Sequence, residues 1–439
     1  MNTARARRLP VAVVVAAAVV YGTARTLPAG PAADMNTIAE QYVKLVLALG
    51  QHDADYVDAY YGPPEWRTEA DAAKGSLDAI GAAASALRKG VAALPEADDE
   101  MERLRQEYLE RQLSALAVRV RMLQGERLTF DEESKALYDA VAPRHPESHF
   151  EQMLGRLEKR FPGEGPLVAR YEAWRRPFVV PKEKLDAVFR TAIDACRART
   201  TRHLALPDGE SFTVEYVTGK SWSGYNWYQG GYRSLIQVNT DLPIYIDRAI
   251  DLACHEGYPG HHVYNVLLET HLVRDRGWTE FSVYPLFSPQ SLIAEGTANY
   301  GIEVAFPGEA RVRFEREVLF PAAGLDPARA GEYYAVQELI EDLSYAGNEA
   351  ARQYLNGTID AAAAASWLER YALMPPDRAK QRVRFFDQYR SYVINYNLGK
   401  DMVRRHIESR GGTAGNPEKR WDEFGRLLSS PRLPSGLTR

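Results

Sequence analysis

Apolar residues recur at helical spacing over most of the first 200 positions. Ile38, Tyr42, Leu45 and Leu49 line one face of the first segment, and a Gly-Pro-Pro-Glu-Trp turn at 62–66 interrupts it. The longest periodic run, from about Asp98 to Gln124, keeps Leu109, Leu113, Leu116, Val120 and Leu123 on one side. Arg and Glu fill much of the remainder, the pattern of a bundle helix with a solvated face. Further helices fit 131–141, 148–160, 165–174 and 182–203. The alanine tracts at 81–85 and 361–365 read as helix rather than linker. Nothing repeats at a fixed period and no low-complexity linker divides the chain. Residues 34–439 therefore read as one mostly α unit, helical to about 205 and followed by a second half, 206–439.

The texture changes between Gly209 and Asp241. Phe212–Val217 alternates, and Ser234–Asn239 follows a Gly230-Gly231 turn, so both read as strands of a small antiparallel sheet. Trp222, Tyr225, Trp227 and Tyr228 lie between them. Thr240, Asp241 and Pro243 look like a helix start, and Ile246, Ile250 and Ala253 lead on at helical spacing. A sheet edge beside that helix would accept an extended peptide by strand addition. Later, Leu292–Glu303 reads as a helix, as does a run from about Arg378 to Ser409.

Composition narrows the function classes. With 45% hydrophobic residues the chain can fill a substantial core. A net charge of -5 and the lack of a basic run with interleaved aromatics argue against nucleic acid as a partner. At the N-terminus, Arg5, Arg7 and Arg8 precede an apolar run from Val11 to Val20 and then Pro31-Ala32-Ala33. That is the order of a signal peptide, so residues 1–33 are expected to direct export to the periplasm or outside. An uncleaved anchor would make the membrane a partner. Met35 opens the same Met-Asn-Thr as Met1, and translation from there would give a cytoplasmic protein. The two cysteines, Cys196 and Cys254, make no CxxC pair and no disulfide framework. Cys254 is expected as a small buried apolar residue.

Chemistry concentrates at Asp251–Val263, where three of the nine histidines fall within eight residues and Glu256 follows His255 directly. A His-Glu pair with further histidine is how one helix offers zinc two imidazoles and water a base. The usual H-E-x-x-H spacing is absent, because Pro259 stands four residues after His255. On a straight helix residue i+6 lies ~240° round and ~9 Å up, too far for a shared ion. Pro259, however, gives no N–H to the carbonyl of His255, and Gly260 tolerates unusual backbone. The helix must break there, and the break can bring His261, or alternatively His262, to the position i+4 normally holds.

His255-Glu-Gly-Tyr-Pro-Gly-His-His262 together with Glu295-Gly-Thr-Ala-Asn-Tyr300 resembles the HExxPGHH and EGWAxY pair of the family called domain of unknown function 885. That family is related to gluzincin peptidases such as thimet oligopeptidase and the helical zinc carboxypeptidases. The resemblance spans roughly Asn36 to Ser409, with specificity only in the two motifs; Thr297 stands where the family often has tryptophan. It implies a helical gluzincin-like fold around a groove, zinc (Zn2+) held by His255, His261 and Glu295, and His262 as the alternative second ligand. Glu256 would be the general base. Asn299 and Glu303, at i+4 and i+8 from Glu295, would orient imidazole N–H groups. Tyr396 would stabilise the oxyanion and Arg390 would hold a substrate carboxylate. His271 reads as structural.

The expected activity is a zinc metallopeptidase acting on short peptides. Two rivals stay open: a zinc hydrolase of another small amide, such as an amino-acid conjugate or cell-wall fragment, and a catalytically silent peptide-binding protein of the same fold.

Overall fold

Asp99 opens the longest helix, Glu100–Leu123, by accepting a hydrogen bond from the Glu102 amide at 3.1 Å. Leu109, Leu113, Leu116 and Val120 are buried along it, as their spacing predicts. It belongs to a computed structural model that describes residues 34–438. The expected signal peptide or anchor, 1–33, lies outside the described residues. The expected helices at 131–141, 148–160, 165–174 and 182–203 form as Phe130–Tyr138, Glu147–Arg160, Leu167–Arg175 and Leu185–Thr200. Thr129 and Glu132 close a capping box at the first of these. The fold is mostly α.

The main hydrophobic core runs through both halves of the chain, and a smaller buried cluster gathers around Phe150, Leu157 and Tyr171. Polar side chains stitch the main core where its members cannot be apolar throughout. Tyr108 donates to Gln290 at 2.7 Å, and Arg105 meets Glu280 at 2.6 Å with both side chains almost fully buried. These bonds join the first half of the chain to the segments around the site.

Five strands are present among the described residues: β1 (Val57–Tyr60), β2 (Ser211–Val217), β3 (Gly224–Gly230), β4 (Arg233–Asn239) and β5 (Val283–Pro285). β1 and β5 pair antiparallel. The other three form a sheet in the order β2-β4-β3. β3 and β4 are an antiparallel hairpin whose turn uses Gly230 and Gly231 at φ of 73° and 60°, angles that glycine adopts freely. β2 adds parallel to β4 on the far side, with Ser211 opposite Arg233. The aromatic stretch expected to connect two strands is therefore largely a strand itself. It inserts a hairpin and leaves β2 and β4 running in the same direction.

Three local readings need correction. The helix expected from Thr240 begins at Asp247, because the chain before it pairs with another segment. Val180 N donates to Ile244 O at 2.8 Å and Ile246 N to Phe178 O at 3.0 Å, which holds this stretch extended. The run from Arg378 to Ser409 breaks into Pro376–Tyr389 and Ile394–Ser409, with Arg390 at φ 51° in the turn between them. Finally, Cys196 and Cys254 form a disulfide, with Cα atoms 5.7 Å apart. They are separated by 58 residues, a pairing no local spacing announces. It ties the Leu185–Thr200 helix to the segment that carries His255.

Candidate metal centre and catalytic cavity

The chain prepares the centre by changing its helical winding. Asp247–Leu252 is α-helical, Ala253–Gly257 widens into π-type winding, and a new helix starts at His261 and runs to Leu268. Pro259 lies between, preceded by a cis peptide bond. Gly260 N donates to Cys254 O at 2.9 Å, folding the loop back on the first segment. A Cβ on Gly260 would stand 1.9 Å from the His255 carbonyl oxygen and 2.5 Å from that of Cys254. Only glycine fits this fold-back.

The result is convergence. His255 Nε2 and His261 Nε2 are 3.1 Å apart, and Glu295 Oε2 lies 3.3 Å from the first and 3.7 Å from the second. Donors at ~2.0–2.1 Å from one tetrahedral ion are separated by about 3.3–3.4 Å, so these three atoms match the edges of such a site. Glu295 Oε2 is buried and has no conventional hydrogen bond. Burial alone would raise the Glu295 carboxyl, yet the charges of His261 and His255 hold it far below the usual carboxylate range. In return, against its own burial, Glu295 pushes His261 up to about 9. The donor set therefore fits a single divalent cation that would replace protons shared among these groups.

Neighbouring side chains fix the orientation of the three. Asn299 Oδ1 is 3.2 Å from His255 Nδ1, and Asn299 Nδ2 donates to the Tyr396 carbonyl at 3.2 Å. With Nδ1 engaged, the Nε2 lone pair is left for the centre. Tyr392 donates its hydroxyl to Glu295 Oε1 at 2.8 Å, aiming Oε2 at the imidazoles. This contact depends on a tight helix crossing, in which a Cβ on Gly296 would come within 2.5 Å of the Gly399 backbone.

Glu256 is buried on the wall beside the imidazoles. Burial raises its carboxyl, with His255 and His261 opposing the rise. Asn226 of β3 donates to the Glu256 carbonyl at 2.8 Å. A Cβ on Gly224 would sit 2.7 Å from Glu256 Oε1, so glycine at the start of β3 leaves room for the carboxylate. These groups face a cavity of about 950 Å³, which β3 flanks as an edge strand. Asp58 of β1 also lines it and accepts from the Tyr225 hydroxyl; burial pushes the Asp58 carboxyl up to about 6.

The remaining nominated residues divide. Tyr396 lines the cavity, and its hydroxyl makes no hydrogen bond to the described residues. Burial, then the nearby Glu295, keep that phenol protonated. His262 points away from the centre, fully buried between Ser234 Oγ at 2.9 Å and Glu210 Oε2 at 3.0 Å. Glu303 reaches no imidazole; Lys400 at 2.9 Å and Arg404 at 2.5 Å take its carboxylate. Arg390 is likewise committed, to Glu133 at 2.6 Å, and is not part of the cavity wall. The turn that breaks the 378–409 run swings it there.

Sequence reasoning missed Tyr392, Asp58, Gly224 and Glu210. Tyr392 lies four residues before the nominated Tyr396, and that spacing was the available signal, although the structure puts it in the turn before the Ile394–Ser409 helix. Glu210 carries no such signal, yet it is the hub behind the loop. It accepts from Tyr258 at 2.7 Å and Arg197 at 2.5 Å and faces His262. Burial would raise its carboxyl, but these partners hold it at about 2 against an ordinary 4.5. A depressed carboxyl contributes stability that is complete above about 4.5 and is lost as pH falls toward 2. Glu210→Gln is thus expected to be less stable than wild type at neutral pH, with the gap closing through that window. Urea denaturation from pH 7 to pH 2 reads it, and a gap independent of pH would contradict the assignment.

No family model and no curated protein matches this chain. Among solved structures, one from Colwellia psychrerythraea described as a "putative lipoprotein" aligns with a TM-score of 0.50 and 15% identity over 83% of this chain. The chain spans 66% of that protein's length. At that identity the likeness concerns the fold alone.

Proposed function

We propose that this protein is a zinc-dependent peptidase acting on short peptides. The observation that carries the reading is the meeting of His255 Nε2, His261 Nε2 and Glu295 Oε2 at tetrahedral spacing, with buried Glu256 beside them on a large cavity. Two imidazoles and a carboxylate with a fourth position open form a donor set suited to catalytic zinc. The motif resemblance to the domain of unknown function 885 family and its gluzincin relatives supports the same assignment. When bound, zinc supplies Lewis acidity and lowers the pKa of water to about 7.

The side chains divide the rest of the work. Glu256 accepts the proton of the attacking water, whose oxygen bonds to the amide carbon. The carbon–nitrogen bond then breaks, and Glu256 returns the proton to the leaving amine. The free hydroxyl of Tyr396 donates to the carbonyl oxygen as it gains charge. β3, an edge strand, holds the substrate extended by main-chain pairing. Digestion of a peptide library followed by mass spectrometry tests this reading. Cleavage that stops on chelation and returns with zinc is expected; a zinc-loaded protein that cleaves no peptide would overturn it.

Export is part of the proposal. The Cys196–Cys254 disulfide suits an oxidising compartment. The order of charged, apolar and small residues in 1–33 is that of a signal peptide. No helix among the described residues is long and apolar enough to cross a membrane.

A further inference from the structure

Arg378 and Arg382 stand one turn apart on the Pro376–Tyr389 helix, and both line the cavity that holds the centre. Neither meets a carboxylate among the described residues. Arg378 donates only to neutral oxygens, Gln381 Oε1 and Ser223 Oγ, each at 2.9 Å. Arg382 lies over the rings of Phe385 at 4.4 Å and Tyr396 at 5.6 Å, and its Nε is buried with no partner. Two arginines buried elsewhere in the fold are paired with carboxylates: Arg105 with Glu280, and Arg352 with Asp131 and Glu349. Both side chains are half-buried, and a cation withdrawn from water without a counterion is costly, two adjacent ones more so. Burial and the repulsion of Arg248 and Arg382 bring even the Arg378 guanidinium down to about 10. Arg382 is close enough to the centre for the charge of Glu295 to act on it.

We infer that Arg378 and Arg382 form a receptor for the free C-terminal carboxylate of the substrate, which makes the enzyme an exopeptidase of the carboxypeptidase or dipeptidase kind. The inference rests on the peptidase reading above and adds its substrate class. A peptide has one main-chain carboxylate, and it lies on the leaving-amine side of the scissile bond. An anion site sharing the cavity with Glu256 thus selects short leaving groups that end in a carboxylate. Guanidinium groups suit this task because they present paired donors in fixed geometry, and the rings of Phe385 and Tyr396 support the Arg382 guanidinium at the cavity wall.

The test uses the zinc-loaded full chain and an N-blocked tripeptide in two forms, free acid and C-terminal amide. The kcat/KM for the acid is expected to exceed that for the amide by on the order of 10- to 100-fold, the range for charge-assisted hydrogen bonds. Arg382→Gln brings that ratio toward one, and Arg382→Lys restores part of it; thermal melting confirms that both variants fold. Equal wild-type rates on acid and amide overturn the inference. So does a loss of the same factor on both forms in Arg382→Gln. An amide ending in glutamate that is cleaved as fast as the free acid would place the recognised carboxylate on a side chain and overturn the C-terminal assignment. Calorimetric binding of the same pair to Glu256→Gln protein separates the two readings. Preferential binding of the acid without cleavage by wild type leaves the carboxylate receptor standing and rejects the peptidase. Cleavage with no preference in rate or binding does the reverse.

Discussion

Glu256→Gln is expected to lower kcat on a cleaved peptide by a factor on the order of 10²–10⁴, the range for a lost general base. The metal should stay, because Glu256 is not one of the three converging donors. The substitution is nearly isosteric in a buried position where Gly224 already leaves space for the side chain. It removes proton acceptance while keeping shape. A variant that hydrolyses peptides as fast as wild type, with zinc bound, would remove Glu256 from the base role.

Gly260→Ala is expected to be as damaging by another route. Its added carbon would overlap two backbone carbonyls, at 1.9 Å and 2.5 Å, and neither can rotate away as a side chain would. Relief requires opening the loop that the Gly260 N to Cys254 O bond closes, and that separates His261 from His255. The expected cost is roughly 3 kcal/mol or more of folding stability, by comparison with severe overpacking, together with loss of stoichiometric zinc. Gly155→Ala is the control: it lies within the Glu147–Arg160 helix and a Cβ there meets nothing within 4 Å. Denaturant melts and metal analysis of the two variants read the contrast. Gly260→Ala with wild-type stability and zinc content would contradict the folded-back loop.

Much of this centre was legible because its signals are local. Pro259 and Gly260 announce a break, and the break sits where a shared ion needs one. The helical periodicity of 98–124 reports its own burial, since the face that packs is written every three or four residues. What was not legible depends on distant chain. Arg390 was nominated by position near Tyr396, but the turn at 390–393 hands it to Glu133, more than 250 residues earlier in sequence. Glu303 sits on the expected helical face, yet Lys400 and Arg404 compete for it from a second helix. The disulfide, the parallel pairing of β2 with β4 and the extended stretch before Asp247 were hidden for the same reason. Each is decided by a partner that no nearby spacing reveals. Arg378 and Arg382 show the converse: their i, i+4 spacing was visible, but the lack of a counterion is a property of the folded cavity.

The central claim is that His255, His261 and Glu295, and not His262, form one metal site. Zinc content and affinity of purified wild type, His261→Ala and His262→Ala test it most directly. The geometry predicts close to one zinc per chain in wild type and loss of tight binding in His261→Ala. In His262→Ala zinc should be retained, with some loss of stability, because that ring serves Glu210 and Ser234. Wild type without stoichiometric zinc, or tight binding that survives His261→Ala and is lost in His262→Ala, would contradict it.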